Sequence, residues 1–162
     1  GTQYTIRYLV QQALYISDNV AYDMLYDYFG MSGYNKMVDN MGCSSLKPSP
    51  TIWAYNVRAT EFIVLWDVIY DYFETGTEMA DLFYASCKNT PFNYGTRTLK
   101  VDYNHKSGDN FGEYAAYNDA GIVWSEDDTY MYAIFTNSEG EVKDETTVDK
   151  AMELAHAMMT AE

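Results

Sequence analysis

Basic residues are scarce in this chain: ten Lys and Arg stand against 24 Asp and Glu, for a net charge of −14 over 162 residues. Proteins that bind nucleic acid or anionic lipid depend on clustered basic side chains that displace counterions from phosphates. The chain also has no run of about 20 apolar residues, as a membrane-spanning helix needs, and no basic-then-apolar signal segment at its start. We therefore expect no nucleic-acid partner and no membrane contact by this segment.

Cysteine is scarce as well, with only Cys43 and Cys87 present. Neither belongs to a CxxC pair or a His-rich stretch, which argues against zinc, and we expect no metal and no cofactor. Whether the two form a disulfide stays open, as does the redox compartment. The chain begins at Gly1 without an initiator Met, so we expect that the natural N-terminus is missing.

The hydrophobic pattern divides one domain into a helical part and a strand part. Helical spacing predicts helices over 4–16, 20–29, 33–41, 60–73 and 78–88, with Thr60 as an N-cap and Gly30 as a C-cap. Period-2 alternation then begins at Leu99, and strands at 114–124 and 129–136 complete an antiparallel meander. A last helix over 146–161 is expected to cover one sheet face with an apolar side that includes Leu154 and Met158.

Two short motifs stand in a set order along this pattern. Ser17-Asp18-Asn19 lies between the first two helices, and Lys106-Ser107-Gly108 lies at the end of a predicted strand. Each alone is commonplace, because Ser-Asp-Asn is also an ordinary helix start and Lys-Ser-Gly-Asp an ordinary strand end and turn. Their order, followed by Asn118-Asp119-Ala120-Gly121-Ile122-Val123 and a terminal helix, is more specific.

This combination resembles the SDN and K-[ST]-G motifs of class A β-lactamases and penicillin-binding proteins, whose remaining motif is S-x-x-K. The resemblance spans nearly the whole chain. It implies a mixed α/β (α+β) fold of the β-lactamase/transpeptidase type, with a helical region over about 4–95 and, over about 96–162, an antiparallel sheet covered by the C-terminal helix. It also implies a bacterial cell-envelope or secreted protein that acts on β-lactams or peptidoglycan stem peptides through an acyl-serine.

The resemblance also implies roles for individual residues. Ser17 would relay a proton and the Lys106 ammonium would tune it, because an attacking serine must lose a proton and a leaving nitrogen must gain one. Asp18 would hold the turn. The remaining residues would bind the substrate: Asn19 its side-chain amide, Ser107 with Gly108 its carboxylate, and the Asp109 backbone N–H its oxyanion.

Two departures from the family pattern matter. Only sixteen residues precede Ser17, and none forms S-x-x-K, so the chain is expected to be a single incomplete catalytic domain (1–162) whose nucleophile lies on a segment outside it. The string Ser44-Ser45-Leu46-Lys47 fits S-x-x-K but follows SDN, and Pro48 disfavours the helical turn it would need. The loop over 42–56 also lacks a carboxylate for activating the deacylating water, with Ile52 at the expected glutamate position.

Three interpretations remain open from the sequence. The first is an acyl-serine hydrolase completed by another segment. The second is a catalytically degenerate penicillin-binding-like module that binds or senses, favoured by the missing loop carboxylate. The third is an unrelated acidic interaction domain, which would have no lysine-lined cleft between Ser17 and Lys106. His105 and His156 are expected to be ordinary, partly exposed histidines.

The predicted strand over 129–136 carries a further expectation. It is eight residues long, aromatic and free of proline, so an unpaired edge there would invite another strand. Its nearby acidic residues, Asp127, Asp128 and Glu139, flank it without interrupting it. We expect the missing N-terminal segment or a second copy to pair with it.

Overall fold

The helical part and the sheet follow one another along the chain as expected. The computed structural model describes residues 1–48, 56–110, 115–125, 128–137 and 145–161. Its helices are α1 (Ile6–Tyr15), α2 (Asn19–Phe29), α3 (Ser32–Met41), α4 (Ala59–Glu74), α5 (Glu78–Ser86) and α6 (Glu145–Met159), with a short 3-10 turn at Ser44–Leu46. Its strands are β1 (Asp102–Asn110), β2 (Ala116–Trp124) and β3 (Tyr130–Phe135).

Side-chain caps fix several helix ends. The Thr5 hydroxyl accepts the Tyr8 N–H at the start of α1, and Gly30 ends α2 in a left-handed conformation with φ 65°. The expectation that Thr60 caps α4 is wrong. That helix already begins at Ala59 after Arg58, whose backbone N–H donates to the Ser45 hydroxyl instead.

The three strands form an antiparallel meander in the order β1-β2-β3. In the register, Lys106 is opposite Ala120, and Gly121 lies between His105 and Tyr132. The first strand begins later than the alternation predicts. Leu99 and Val101 precede it and pack, half-buried, against the hydrophobic cluster that includes Met152 of α6. β2 pairs on both of its edges, since it is the central strand.

Helices cover both faces of the sheet. On one face, Trp66 of α4 and Cys87 after α5 pack against Ala120 and Ile122. On the other face, Met152 of α6 packs against Val123, Tyr130 and Tyr132. The predicted covering by the C-terminal helix is therefore confirmed, and it makes a three-layer arrangement with the sheet in the middle.

Two predicted apolar helix faces are buried only in part. In α6, Val148 and Met152 are fully buried, whereas Leu154 and Met158 are 63% and 71% exposed, because Leu154 is only two residues from Met152 and so points to the opposite side. In α2, Val20 and Phe29 are more than half exposed in this chain. Hydrophobic spacing alone could not tell which stripe meets the sheet.

The two cysteines lie in different hydrophobic clusters and are both free and buried. Of the helices in the described ranges, none is long and apolar enough to cross a membrane. Ile52 lies outside the described residues, as do Asp127 and Glu139 beside the third strand.

Candidate active site

The Ser17-Asp18-Asn19 motif forms the junction between α1 and α2. Ser17 has φ 58°, a left-handed conformation that costs a non-glycine residue of order 1–3 kcal/mol. The Asp18 carboxylate accepts the N–H groups of Val20 at 2.8 Å and Ala21 at 3.0 Å and so caps α2. Asn19 is the first, exposed residue of that helix. Asp18 thus holds the strained turn in which Ser17 lies.

Lys106 reaches this turn from the sheet. Its Nζ donates to Ser17 Oγ at 2.6 Å and to the backbone oxygen of Ser107 at 2.6 Å. The predicted contact between Ser17 and Lys106, 89 residues apart, is therefore confirmed. The predicted position at a strand end is wrong, since Lys106 lies in the middle of β1. Lys106 is also half-buried, as predicted.

Burial changes the acidity of this lysine. Removal from water disfavours the ammonium and lowers the pKa of Lys106, while neighbouring groups, Asp119 and Asp109 among them, act in the opposite direction. An ammonium hydrogen-bonded to a hydroxyl polarises that hydroxyl and can pass a proton through it. The arrangement is thus suited to moving a proton at Ser17 Oγ.

The predicted substrate-binding residues continue along β1. Ser107 is 5% exposed, and its hydroxyl donates to the backbone oxygen of Phe92. Gly108 and Asp109 are exposed and pair with Asn118 and Tyr117 across the sheet. For Ser107 to donate to a substrate carboxylate, its hydroxyl would have to turn away from Phe92.

In the Ser44-Ser45-Leu46-Lys47 string, the serine and the lysine do not contact each other as a catalytic pair. Ser44 is exposed on the short 3-10 turn, and the Lys47 ammonium forms an ion pair with Asp39 at 2.5 Å. Ser45 is committed as well, because both its hydroxyl and its backbone N–H donate to the Glu61 carboxylate. The string therefore contributes to the packing of α4 and not to a catalytic pair.

The expectation that His105 is partly exposed is wrong. It is fully buried on the opposite face of β1 from Lys106, with Nδ1 2.9 Å from an oxygen of the equally buried Asp119 and Nε2 2.7 Å from the Thr90 hydroxyl. Sequence reasoning missed this pair. Period-2 alternation places His105 and Ser107 on one face and Lys106 on the other, but the burial of the His105 face depends on α6.

Residues 1–159 of the 162 match the model of the beta-lactamase enzyme family. The chain belongs to that family. Its two motif residues, Ser17 and Lys106, meet at the interface between the helical part and the sheet of this beta-lactamase-family fold.

Solved structures share this fold at low sequence identity. A class A beta-lactamase from Bacteroides cellulosilyticus DSM 14838 is 21% identical with a TM-score of 0.78, over 96% of this chain and 64% of that one. A beta-lactamase from Sphaerobacter thermophilus DSM 20745 is 17% identical with a TM-score of 0.80, over 98% and 64%. PBP-A is 17% identical with a TM-score of 0.79, over 98% and 62%.

Each of these three proteins is longer than the chain described here. The match covers nearly all of this chain but less than two thirds of each of them. No functionally curated protein matches the sequence. The comparisons therefore establish the fold and the family of this chain.

Proposed function

We propose that this chain is the larger part of an acyl-serine hydrolase acting on β-lactams or peptidoglycan stem peptides, with the nucleophilic serine on a segment outside this sequence. The supporting observation is the 2.6 Å contact between Lys106 Nζ and Ser17 Oγ. An unrelated acidic interaction domain has no reason to bring a lysine and a strained serine together across 89 residues.

The proposed chemistry moves one proton while one bond forms and another breaks. The nucleophilic serine forms an ester with the substrate carbonyl, and the amide C–N bond breaks. The leaving nitrogen takes a proton from Ser17, which is replenished from the proton the nucleophile gives up, so the site is left with its protons unchanged. Lys106 supports this exchange because its ammonium holds the Ser17 oxygen in a fixed direction.

The proposed substrate contacts come from the start of α2 and from β1. The exposed Asn19 would bind the substrate's side-chain amide, and Ser107 with Gly108 its carboxylate. The backbone N–H of Asp109 would donate to the developing oxyanion. Asn19 on α2 and Lys106 on β1 would flank a groove between these two elements, whereas the Ser107 hydroxyl, buried on the α6 face of β1, would have to leave Phe92 to reach it.

The partner proposal concerns β3. This strand pairs with β2 along one edge, and in the described ranges no strand pairs with the other. We propose that a strand of the missing segment, or of a second copy, pairs there, in a protein of the bacterial cell envelope. Hydrogen exchange of the 130–135 amides in the full-length protein tests this. Rapid exchange of the outward-facing amides would contradict it.

A labelled penicillin tests the proposed activity directly. We expect the full-length protein to form a covalent adduct, Ser17→Ala and Lys106→Ala to form it more slowly by 100-fold or more, and Ser44→Ala to match the unchanged protein. Ser44 is the suitable control because it is a serine of an S-x-x-K string without a lysine partner. No adduct from the correctly folded full-length protein would overturn the proposal.

The second candidate is a family member that binds or senses without turnover. The lack of a carboxylate in the loop over 42–56 favours it, since deacylation in class A enzymes needs a glutamate there. The label separates the two. A stable adduct or reversible binding of penicillin without release of hydrolysed product would identify the binding module, whereas steady release would identify the hydrolase.

A further inference from the structure

A carboxylate lies buried behind the strand that carries Lys106. Asp119 of β2 is fully buried and receives His105 Nδ1 at 2.9 and 3.1 Å from its two oxygens. The Tyr132 hydroxyl donates to the same carboxylate at 3.2 Å, and burial together with the Asp119 charge holds the pKa of Tyr132 well above its usual value. The His105 ring and the Tyr132 hydroxyl therefore converge on Asp119, and an ionised carboxylate needs such partners when it is withdrawn from water.

The proton count of the neighbouring groups gives the charge of the His105–Asp119 pair. The Thr90 hydroxyl is 2.7 Å from His105 Nε2 and 3.3 Å from the Phe92 oxygen, which already accepts from Ser107. The shorter and less contested acceptor for the Thr90 proton is Nε2. With the Thr90 proton donated to Nε2, the ring proton of His105 lies on Nδ1 and the His105–Asp119 pair carries one negative charge.

Among the described residues, no carboxylate forms an ion pair with Lys106. Its ammonium donates to two uncharged oxygens, and among the described carboxylates none lies within 4 Å of it. Asp109 is exposed, so water and salt screen its charge. Cys87 is buried and its pKa is raised to about 12, so its thiol is uncharged at neutral pH.

Asp119 is therefore the one described carboxylate that acts on Lys106 without screening. It lies one residue along β2 from Ala120, the cross-strand neighbour of Lys106, on the other face of the sheet. The interaction is mutual. Burial raises the pKa of Asp119, and His105, Tyr132 and, to a smaller extent, Lys106 oppose that shift. Asp119 in turn opposes the effect of burial on the pKa of Lys106.

We propose that Asp119, held by His105, Thr90 and Tyr132, is an electrostatic positioning residue: its buried negative charge keeps Lys106 an ammonium beside Ser17. Asp119 acts through Lys106 and touches no substrate. The inference deepens the proposed function because it explains the state of the motif lysine. Its measurement needs no β-lactam, so it can fail while acylation is observed, and acylation can fail while it holds.

The first test reads the imidazole in the unchanged full-length protein. Two-bond proton–nitrogen NMR spectra, with the His105 signals assigned by their loss in His105→Asn, report which ring nitrogen carries the proton. We expect a neutral ring with the proton on Nδ1 and a bare Nε2. An imidazolium at neutral pH, or the Nε2-protonated tautomer, overturns the proposal, since the pair would then lack the charge or the arrangement that it requires. This arm depends on no variant that might fail to fold.

The second test follows the titration of the Lys106 ammonium by nitrogen NMR, with the signal assigned by its loss in Lys106→Arg. In Asp119→Asn we expect the midpoint to move to lower pH, because the amide keeps the shape but not the charge. In His105→Asn we expect no movement, since the amide nitrogen can still donate to Asp119. An unchanged midpoint in Asp119→Asn, or the same movement in both variants, overturns the proposal.

A matched control separates charge from general destabilisation. Asp149 is also a buried carboxylate on the α6 side of the sheet, bound to the guanidinium of Arg97 and the Gly95 N–H. Asp149→Asn also removes one buried charge from this layer. That charge is paired with Arg97 and is not among the groups that shift the pKa of Lys106. We expect its Lys106 midpoint to match the unchanged protein. A downward movement equal to that of Asp119→Asn would mean that the effect is structural, and would overturn the proposal.

Discussion

Gly121 is the position where a single added methyl group should do most damage near the site. It lies on β2 opposite His105, and a Cβ built there would be 2.1 Å from the Asn104 oxygen, 2.8 Å from His105 Cα and 2.9 Å from His105 Cβ. Two of these atoms belong to the backbone of β1 and cannot turn aside as a flexible side chain would. The strand must therefore move by well over an ångström to bring the 2.1 Å approach to an ordinary contact distance of about 3.5 Å.

This displacement sets the expected magnitude for Gly121→Ala. Overpacking a core by one methyl group costs about 1–3 kcal/mol when side chains can adjust. Here the obstacle is backbone in a hydrogen-bonded ladder, so we expect about 3 kcal/mol or more of lost unfolding free energy. Lys106 lies next to His105, so the same movement should lengthen its contact with Ser17 and slow acylation beyond what the loss of folded protein explains.

Denaturant unfolding of the full-length protein measures the effect, with Gly33→Ala as the matched control. Gly33 lies in α3, where an added Cβ meets nothing within 4 Å, so the same chemical change should stabilise the helix by about 0.5 kcal/mol. A Gly121→Ala protein whose unfolding free energy stays within about 0.5 kcal/mol of the unchanged protein would refute the close approach of β1 and β2.

Three further predictions follow from individual contacts. Asp18→Ala should cost about 1 kcal/mol of stability because α2 loses its cap, whereas Lys106→Ala should slow acylation with little change in melting temperature. If the two variants had equal effects on both measurements, this division of roles would be contradicted. Asp149→Asn should lower the unfolding free energy by about 2 kcal/mol. The loss is smaller than for a fully buried pair because Arg97 is partly exposed and can regain water. A change below about 0.5 kcal/mol in chemical denaturation would be inconsistent with the paired geometry. Burial opposes ionisation of Glu61, but hydrogen bonds from Ser45 and Arg58 outweigh burial and lower the pKa of Glu61 below its usual value. The stability that Glu61 contributes is therefore present above its unfolded-state pKa and is lost as the pH falls through its folded-state pKa. The acid limb of a stability–pH curve should be shallower in Glu61→Gln, and an identical limb would count against the contact.

Local sequence signals were sufficient for most of the fold. The helices begin and end within a few residues of the predicted bounds because caps such as Thr5 and Gly30 act on their own neighbours. The antiparallel meander was also predictable from alternation and short connections. The start of α4 was not, because the hydroxyl that binds the Arg58 N–H belongs to Ser45, thirteen residues earlier.

The contact between Ser17 and Lys106 was predictable only through the family resemblance. Nothing in helical or strand periodicity brings two residues together across 89 positions. The motifs supplied that long-range information. The exposure of α2 shows the opposite case, since a stripe of apolar residues with helical spacing indicates a face that could be buried and does not say what buries it.

The His105–Asp119 pair shows why a strand motif should be interpreted on both faces. Lys106 faces the helical part, so its neighbours His105 and Ser107 must face α6. The antiparallel register then brings Asp119 opposite Ser107 and diagonal to His105, within reach of its ring. Because both side chains are fully buried there, neither can be ionised without a partner. In the proposal above, the negative charge of Asp119 on one face of the sheet stabilises the ammonium of Lys106 on the other face. If the proposal for Asp119 holds, the proposed chemistry at Ser17 depends on a carboxylate that is fully buried and touches no substrate.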